Sequence, residues 1–503
     1  MLWIVLAVIV GFLVVVAVYD LVQRKHAILR NFPVVGHLRY LLEGIGPELR
    51  QYIVTDNDSD RPFSRDQRRW VYTSAKKLNN YIGFGTDNDL ELTPGYVIVR
   101  PQAFPVADPI PDGAPLPCAK VLGAARNRPK AFRMESAVNI SSMSYGSLGG
   151  RAVEALNAGA AIAGCLQGTG EGGLTPYHQR GGDLVWQIGT GYFGCRDQQG
   201  RFDLARFCDV VAVNPTIRAI DIKLSQGAKP GLGGLLPAAK VTREIAELRG
   251  VPMGVDCISP PAHSAFHDTD SLLDFVELLA DRTGLPVGVK TAVGDLGFFE
   301  DLARLMRDTG RGIDFLTVDG GEGGTGAAPL AFADHVALPF KVGFAQVYRV
   351  FAEADMTDRI VFIGSGRNGL PTAALLAFAL GCDAVNVGRE AMLAIGCIQA
   401  QRCHTGRCPT GVTTNSHWRQ RGLDPTLKSV RCANYLAQLR RELLALAHTC
   451  GQVHPALVTA DQLAVLDESY GTRSAREVFG YRPGWGLPSP AQQGDVRVLM
   501  RPG

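Results

Sequence analysis

The sequence predicts an α/β fold, a (β/α)8 barrel with an N-terminal transmembrane helix and helical flanking segments. Three observations predict it. Short apolar runs end in glycine-rich loops, amphipathic helix-like stretches lie between several of them, and the repetition is long enough to favour a closed barrel over an open doubly wound sheet. The runs read as strands are AVNISSM, VVAVN, MGVDCI, VGVKTAV, FLTVD, IVFIG and AVNVG; SLLDFVELLADRTG and FEDLARLMRDTG read as helices. A chain of 503 residues, 46% hydrophobic, has core enough for one large domain with appendages or for two to three ordinary ones. Its 51 basic and 48 acidic residues leave a formal charge of +3, which argues against a nucleic-acid partner.

Residues 2–19, LWIVLAVIVGFLVVVAVY, carry no charge. As a helix they span roughly 27 Å, close to the hydrocarbon thickness of a bilayer. No basic segment precedes them and no small-residue cleavage site follows, so a membrane anchor is expected rather than a cleaved signal peptide. Arg24, Lys25, His26 and Arg30 come next. That asymmetry places the rest of the chain on the cytoplasmic side of the inner membrane, behind a single span. Residues 20–100 read as a juxtamembrane extension. Within them LRYLLEGIGPELRQYI suits a helix near the membrane surface, and DNDSDRPFSRDQRRWVY reads as a solvated loop or a headgroup contact. The barrel is expected over residues 101–423, after a proline-rich entry, and a helical segment with an irregular tail over 424–503.

In such a barrel the chemistry sits where strands hand over to loops at their carboxyl ends. IVFIGSGRNG ends in Gly364, Ser365, Gly366 and Arg367, and AVNVGREAM ends in Gly388 and Arg389. Two such loops in succession point to a phosphate, held by backbone N–H groups and the Arg389 guanidinium. VDGGEGGTGAAP sets five glycines around Glu322 and Thr325, a ligand loop or a lid. Lys290 closes an apolar strand, where a buried ammonium needs a partner; a cofactor ring edge or a substrate carboxylate would serve. KLSQGAKPG adds Lys223, Gln226 and Lys229, donors suited to a dicarboxylic acid.

Eleven cysteines in a chain without a signal peptide do not suggest a disulfide scaffold. Eight are dispersed and read as packing residues. The other three, Cys397, Cys403 and Cys408, fall within CIQAQRCHTGRCPTGV. Three thiolates bind zinc with His404 as the fourth ligand, or hold an iron–sulfur cluster; spacing alone leaves both open.

Taken together, SSMSYGSL, GTGEGG, KLSQGAKPG, the ISPP turn after Cys257, GGTGAAP and the Cys-x5-Cys-x4-Cys run before PTGV resemble the synthase domain of glutamate synthase large subunits. The resemblance covers about residues 132–412 in the same order, and is strongest to membrane-anchored, stand-alone glutamate synthase-like proteins. It implies an FMN-containing barrel and a 3Fe-4S cluster on Cys397, Cys403 and Cys408. It implies flavin contacts from Ser142, Met143, Ser144, Lys290, Gly364, Ser365, Gly366, Gly388 and Arg389. Lys223, Gln226 and Lys229 match its 2-oxoglutarate region, and Glu171 with Lys290 would join the catalytic set.

The implied reaction is reductive amination of 2-oxoglutarate, through 2-iminoglutarate, to L-glutamate, with hydride from reduced FMN and electrons arriving through the cluster. A ferredoxin or a reductase subunit would supply them. A full large subunit opens with an amidotransferase domain and closes with a β-helix; neither is expected here, which leaves a separate subunit, free ammonia or another amine as the nitrogen source. An N-substituted glutamate synthase using methylamine, and a tethered flavin and iron–sulfur electron carrier without amination, are the alternative readings.

Overall fold

The computed structural model describes residues 1–90 and 93–501 and divides into two compact units, Met1–Arg68 and Arg69–Gly503. In the first, α1 (Leu2–Val22) carries the uncharged run and is apolar all round its circumference. Its 21 residues reach about 32 Å at 1.5 Å each. Asp20, in its last turn, is fully buried and accepts from the Val34 N–H at 2.9 Å and from His37 Nε2 at 3.0 Å. These bonds tie the end of α1 to the start of α2 (Gly36–Leu49). Along α2, Leu38, Leu41, Leu42, Ile45 and Leu49 recur at helical spacing and all are exposed.

The second unit is built on a closed barrel of eight parallel strands, each paired with its sequence neighbours and the last with the first. They are β1 (Val138–Ile140), β2 (Gln167–Gly168), β3 (Leu184–Ile188), β4 (Ile217–Lys223), β5 (Val287–Ala292), β6 (Phe315–Asp319), β7 (Val361–Ser365) and β8 (Ala384–Val387). Strands buried on both faces need apolar residues throughout, and β5, β6 and β7 are buried from end to end. Helices α3 (Gly150–Ala163), α4 (Leu204–Val213), α5 (Arg243–Arg249), α6 (Thr269–Thr283), α7 (Gly297–Thr309), α8 (Phe340–Glu353), α9 (Pro371–Ala379) and α10 (Arg389–Ala394) lie between or after the strands. A long helix, α11 (Pro425–Thr449), packs on α3. Gly159 allows that approach: a Cβ there would sit 2.7 Å from the Cβ of Cys432. Val97–Val99, Leu463–Leu466 and Thr472–Ser474 form a separate antiparallel sheet.

Two expected strands are not barrel strands. VVAVN falls in and just after α4, because Asp203 caps that helix by accepting from the Arg206 N–H, and Phe207 and Val211, one turn apart, face the core. MGVDCI is mostly a surface turn. Only Cys257 and Ile258 are extended, against Leu235–Leu236, and Met253 and Val255 stay in solvent. The strands that occupy these places, β3 and β4, carry polar residues inward: Gln187 donates to Asp221 at 2.7 Å inside the barrel. With β2 at two residues, they lack the uninterrupted apolar run of β5 or β7.

Candidate active site

The loops at the carboxyl ends of the strands are fitted to one another backbone to backbone. After β2, a Cβ on Gly168 would lie 2.1 Å from Ser142 Oγ, and one on Gly170 would lie 2.3 Å from the Ser144 nitrogen. Gly170 also has φ +73°, so glycine is required there twice over. Ser142, Met143 and Ser144 therefore line the rim between the loops after β2 and β8; Met143 Sδ stands 4.0 Å from the Cβ that Gly388 lacks.

Lys223 and Lys290 are paired in register at the ends of adjacent strands β4 and β5, both buried. Each has a carboxylate. Lys223 Nζ lies 3.0 Å from Glu171 Oε1, and Lys290 Nζ lies 3.4 Å from Asp319 Oδ2. Lys223 also donates to Gln226 Oε1 at 2.7 Å; Gln226 Nε2 donates to Thr325 Oγ1 at 3.0 Å. Lys229 Nζ donates to the Ala327 carbonyl at 3.0 Å, and the Gly227 N–H to Asp319 Oδ2 at 2.9 Å. The 223–229 and 320–327 loops thus close on each other through side chains that were read separately as substrate and ligand loops.

Charge within this network is tuned by burial. Burial pushes the Glu171 carboxyl up, but the Lys223 ammonium, with help from Lys229 and Arg249, outweighs it and holds the group below its ordinary value. Burial pulls Lys229 down to about 8, against the pull of Glu171, and Lys223 repels it further. His263, bonded to the Lys223 carbonyl and to Tyr192, is pulled down to about 4 by burial and stands neutral.

On the far side of the mouth, Gly364, Ser365 and Gly366 end β7, and the Gly320 N–H donates to the Ser365 carbonyl at 2.8 Å. Asn368, 3% exposed, holds its Nδ2 without a protein acceptor. A buried amide donor of that kind fits a loop shaped for an anionic ligand's oxygens. Arg389 Nη2 donates to the Glu322 carbonyl at 2.5 Å, pinning the 320–327 loop beside β8. These features fit a flavin phosphate between β7 and β8.

The three clustered thiols lie in one loop after α10. The Gln399 N–H donates to Cys397 Sγ at 3.4 Å, and Thr410 Oγ1 is 3.5 Å from Cys408 Sγ. Burial raises the Cys397 thiol to about 12, with Cys403 and Cys408 adding to the rise. Burial pushes Cys408 up too, yet hydrogen bonds from Thr410 and Thr413 hold it below the ordinary value. Among the described residues no three His, Cys, Asp or Glu side chains converge on one metal ion. Three thiols in one loop, with His404 beside them, are a donor set that either zinc or an iron–sulfur cluster would use.

Sequence reasoning passed over Asp319, the partner of Lys290, and Lys240, whose ammonium reaches the Cys403 carbonyl at 3.3 Å. Asp319 was visible as the last residue of FLTVD; Lys240 sits in LLPAAKV, which carries no glycine-loop signature.

The model of the conserved region in glutamate synthase matches residues 119–453, more than half of the chain and somewhat beyond the expected 132–412. The chain belongs to the glutamate synthase family. It is 37% identical over 470 residues to the glutamate synthase large subunit-like protein YerD of Bacillus subtilis, covering 85% of this chain and 88% of that one. It is 34% identical over 326 residues to an archaeal glutamate synthase [NADPH] of Methanocaldococcus jannaschii, covering 64% of this chain and 60% of that one. A solved flavocytochrome b2 mutant with benzoylformate is 12% identical, with a TM-score of 0.44 over 85% of this chain and 83% of that one. Family membership makes the chain an oxidoreductase of the glutamate synthase type.

Proposed function

We propose that this oxidoreductase aminates 2-oxoglutarate reductively to L-glutamate, with FMN in the barrel mouth and a 3Fe-4S cluster on Cys397, Cys403 and Cys408. The observation that carries this reading is the convergence of Lys223, Gln226, Lys229, Lys290 and Glu171 in one buried network at the ends of β4 and β5. FMN, when bound, supplies hydride to an imine carbon, and the cluster supplies electrons one at a time. Ser142, Met143, Ser144, Lys290 and the loops after β7 and β8 would hold the flavin.

The chain's own residues do the rest. Lys223 and Lys229 offer two ammonium groups, six residues apart in one loop, to the two carboxylates of the substrate. Gln226 fixes the angle between them through Thr325. Glu171, kept ionised by Lys223, provides a counter-charge for the cationic nitrogen that forms on the way to the imine. Interlocked loops hold these groups in place before substrate arrives, so little reorganisation accompanies reaction. The α1 helix anchors the catalytic unit to the inner membrane, facing the cytoplasm, and a ferredoxin or reductase subunit delivers electrons.

The test is anaerobic purification of the full chain in detergent, with flavin, iron and sulfide measured per chain. Glutamate formation from 2-oxoglutarate and ammonia follows, using a chemical reductant. One FMN, about three irons and glutamate production support the reading. Cofactors without amination would leave an electron carrier; turnover with methylamine but not ammonia would make it an N-substituted glutamate synthase. Absence of flavin and iron refutes it.

A further inference from the structure

One buried cation is left without a task by the reading above. The Lys240 side chain, 2% exposed, runs between the cysteine loop and the loop after β1. Its ammonium donates to the Ser147 carbonyl at 2.6 Å and the Cys403 carbonyl at 3.3 Å. Its own carbonyl accepts from Asn415 Nδ2 at 2.9 Å. Gly406, next to the cysteines, passes Lys240 so closely that a Cβ would lie 3.5 Å from its Cγ. Ser147 in turn abuts the 320–327 loop, its Oγ 2.5 Å from where a Cβ on Gly326 would be. A single ammonium therefore stands between the three thiols and the loops of the barrel mouth.

Two carbonyls accept from two of its three N–H groups but do not neutralise its charge. Among the described residues no carboxylate pairs with Lys240; burial pulls its ammonium down to about 8, the Cys403 and Cys408 thiols favour its charge, and Arg249 opposes it. An unpaired buried ammonium is costly, and removing a partner from a buried charge is costlier still. Its place is physically reasonable when the cysteine side carries the compensating negative charge. Three thiolates around a cluster are such a charge, and uptake of one electron adds another.

We propose that Lys240 is a positioning residue for electron entry: its positive charge raises the reduction potential of the cluster on Cys397, Cys403 and Cys408, and its bonds hold the cysteine loop against the barrel mouth. The inference rests on the cluster assignment in the proposed function. In the step concerned, one electron passes from a reduced donor to the oxidised cluster.

The test is a redox titration of the full chain in detergent, with dithionite as reductant and the cluster's paramagnetic signal as readout. It compares wild type with Lys240→Gln, Lys240→Met and Lys240→Arg. Loss of the charge in the Gln and Met variants is expected to shift the one-electron equilibrium at least tenfold toward the oxidised cluster, 59 mV lower in midpoint. The Arg variant should stay near wild type. An unchanged midpoint in Lys240→Gln at full iron and sulfide content overturns the proposal, as does an Arg variant shifted as far as Gln. Loss of the cluster from all three variants assigns Lys240 to loop folding alone and also overturns it. A wild-type chain without iron and sulfide refutes the cluster assignment itself, before any variant is compared.

Discussion

Buried lysines serve the substrate side and the cysteine side of this barrel differently. At the ends of β4 and β5, Lys223 and Lys290 each face a carboxylate, Glu171 and Asp319. Beside the cysteines, the Lys240 ammonium donates to two carbonyls and, among the described residues, pairs with no carboxylate. A compensated cation is stable in the empty site and can exchange part of its bonding for an incoming carboxylate. On the proposed reading, the counter-charge of the uncompensated one comes with the cluster. The difference distinguishes a site that binds and releases from one that holds.

The sharpest way to break the comparison is to strip compensation from the substrate side. Lys223→Met leaves Glu171 largely buried beside a methyl group, with Lys229 as the remaining nearby ammonium. Removing one partner of a buried pair costs about 3–5 kcal/mol, so urea unfolding should show a loss of that order, and amination should fall below detection. Glu171→Gln should be milder in stability, because Lys223 keeps Gln226 as an acceptor. Equal destabilisation by the two changes would show that the pair does not carry the asymmetry described.

A smaller effect is expected from the backbone fit that brings the two substrate-side loops together. A Cβ at Gly227 would lie 1.8 Å from the Gly320 carbonyl oxygen, inside any allowed contact. Gly227→Ala must therefore push the 223–229 loop off the 320–327 loop, at about 1–3 kcal/mol for an overpacked site. The expected outcome is a raised KM for 2-oxoglutarate with the iron and sulfide content unchanged. Loss of iron from this variant would mean that the two sides are mechanically coupled.

How much of this was legible before the structure follows the same division. Strands β5, β6, β7 and β8 were readable because they are continuous apolar runs ending in glycine. Strands β3 and β4 were not, since Gln187, Arg218 and Asp221 interrupt the pattern; Gln187 and Asp221 pair across the two strands, and Arg218 meets Asp183 just before β3. Candidate residues on glycine loops were legible because close backbone approach needs glycine whatever the ligand. Lys240 was not, because a lysine in LLPAAKV reads as surface charge until the fold brings Ser147 and Cys403 to it from distant parts of the chain. The apolar stripe of α2 was legible and remains exposed in its own unit.

The smallest expected effect is one of pH, and its sign follows from Lys229. Burial lowers its ammonium from the ordinary lysine range to about 8. In the free enzyme it is charged below that value and neutral above it, so in its proposed role it would bind a carboxylate only on the acid side. The ratio kcat/KM for 2-oxoglutarate, which reports free-enzyme ionisations, should be flat up to about pH 8 and then fall roughly tenfold per unit. Stability moves the other way. Between pH 8 and the unfolded value near 10.5 the unfolded chain binds the extra proton, so this group favours folding increasingly as pH rises through that window. Lys229→Arg, whose guanidinium stays charged throughout, should remove the alkaline fall while leaving the acid-side value within a few-fold. Persistence of the fall in that variant would move the ionisation to another group, with Lys240 excluded by repeating the profile in Lys240→Arg.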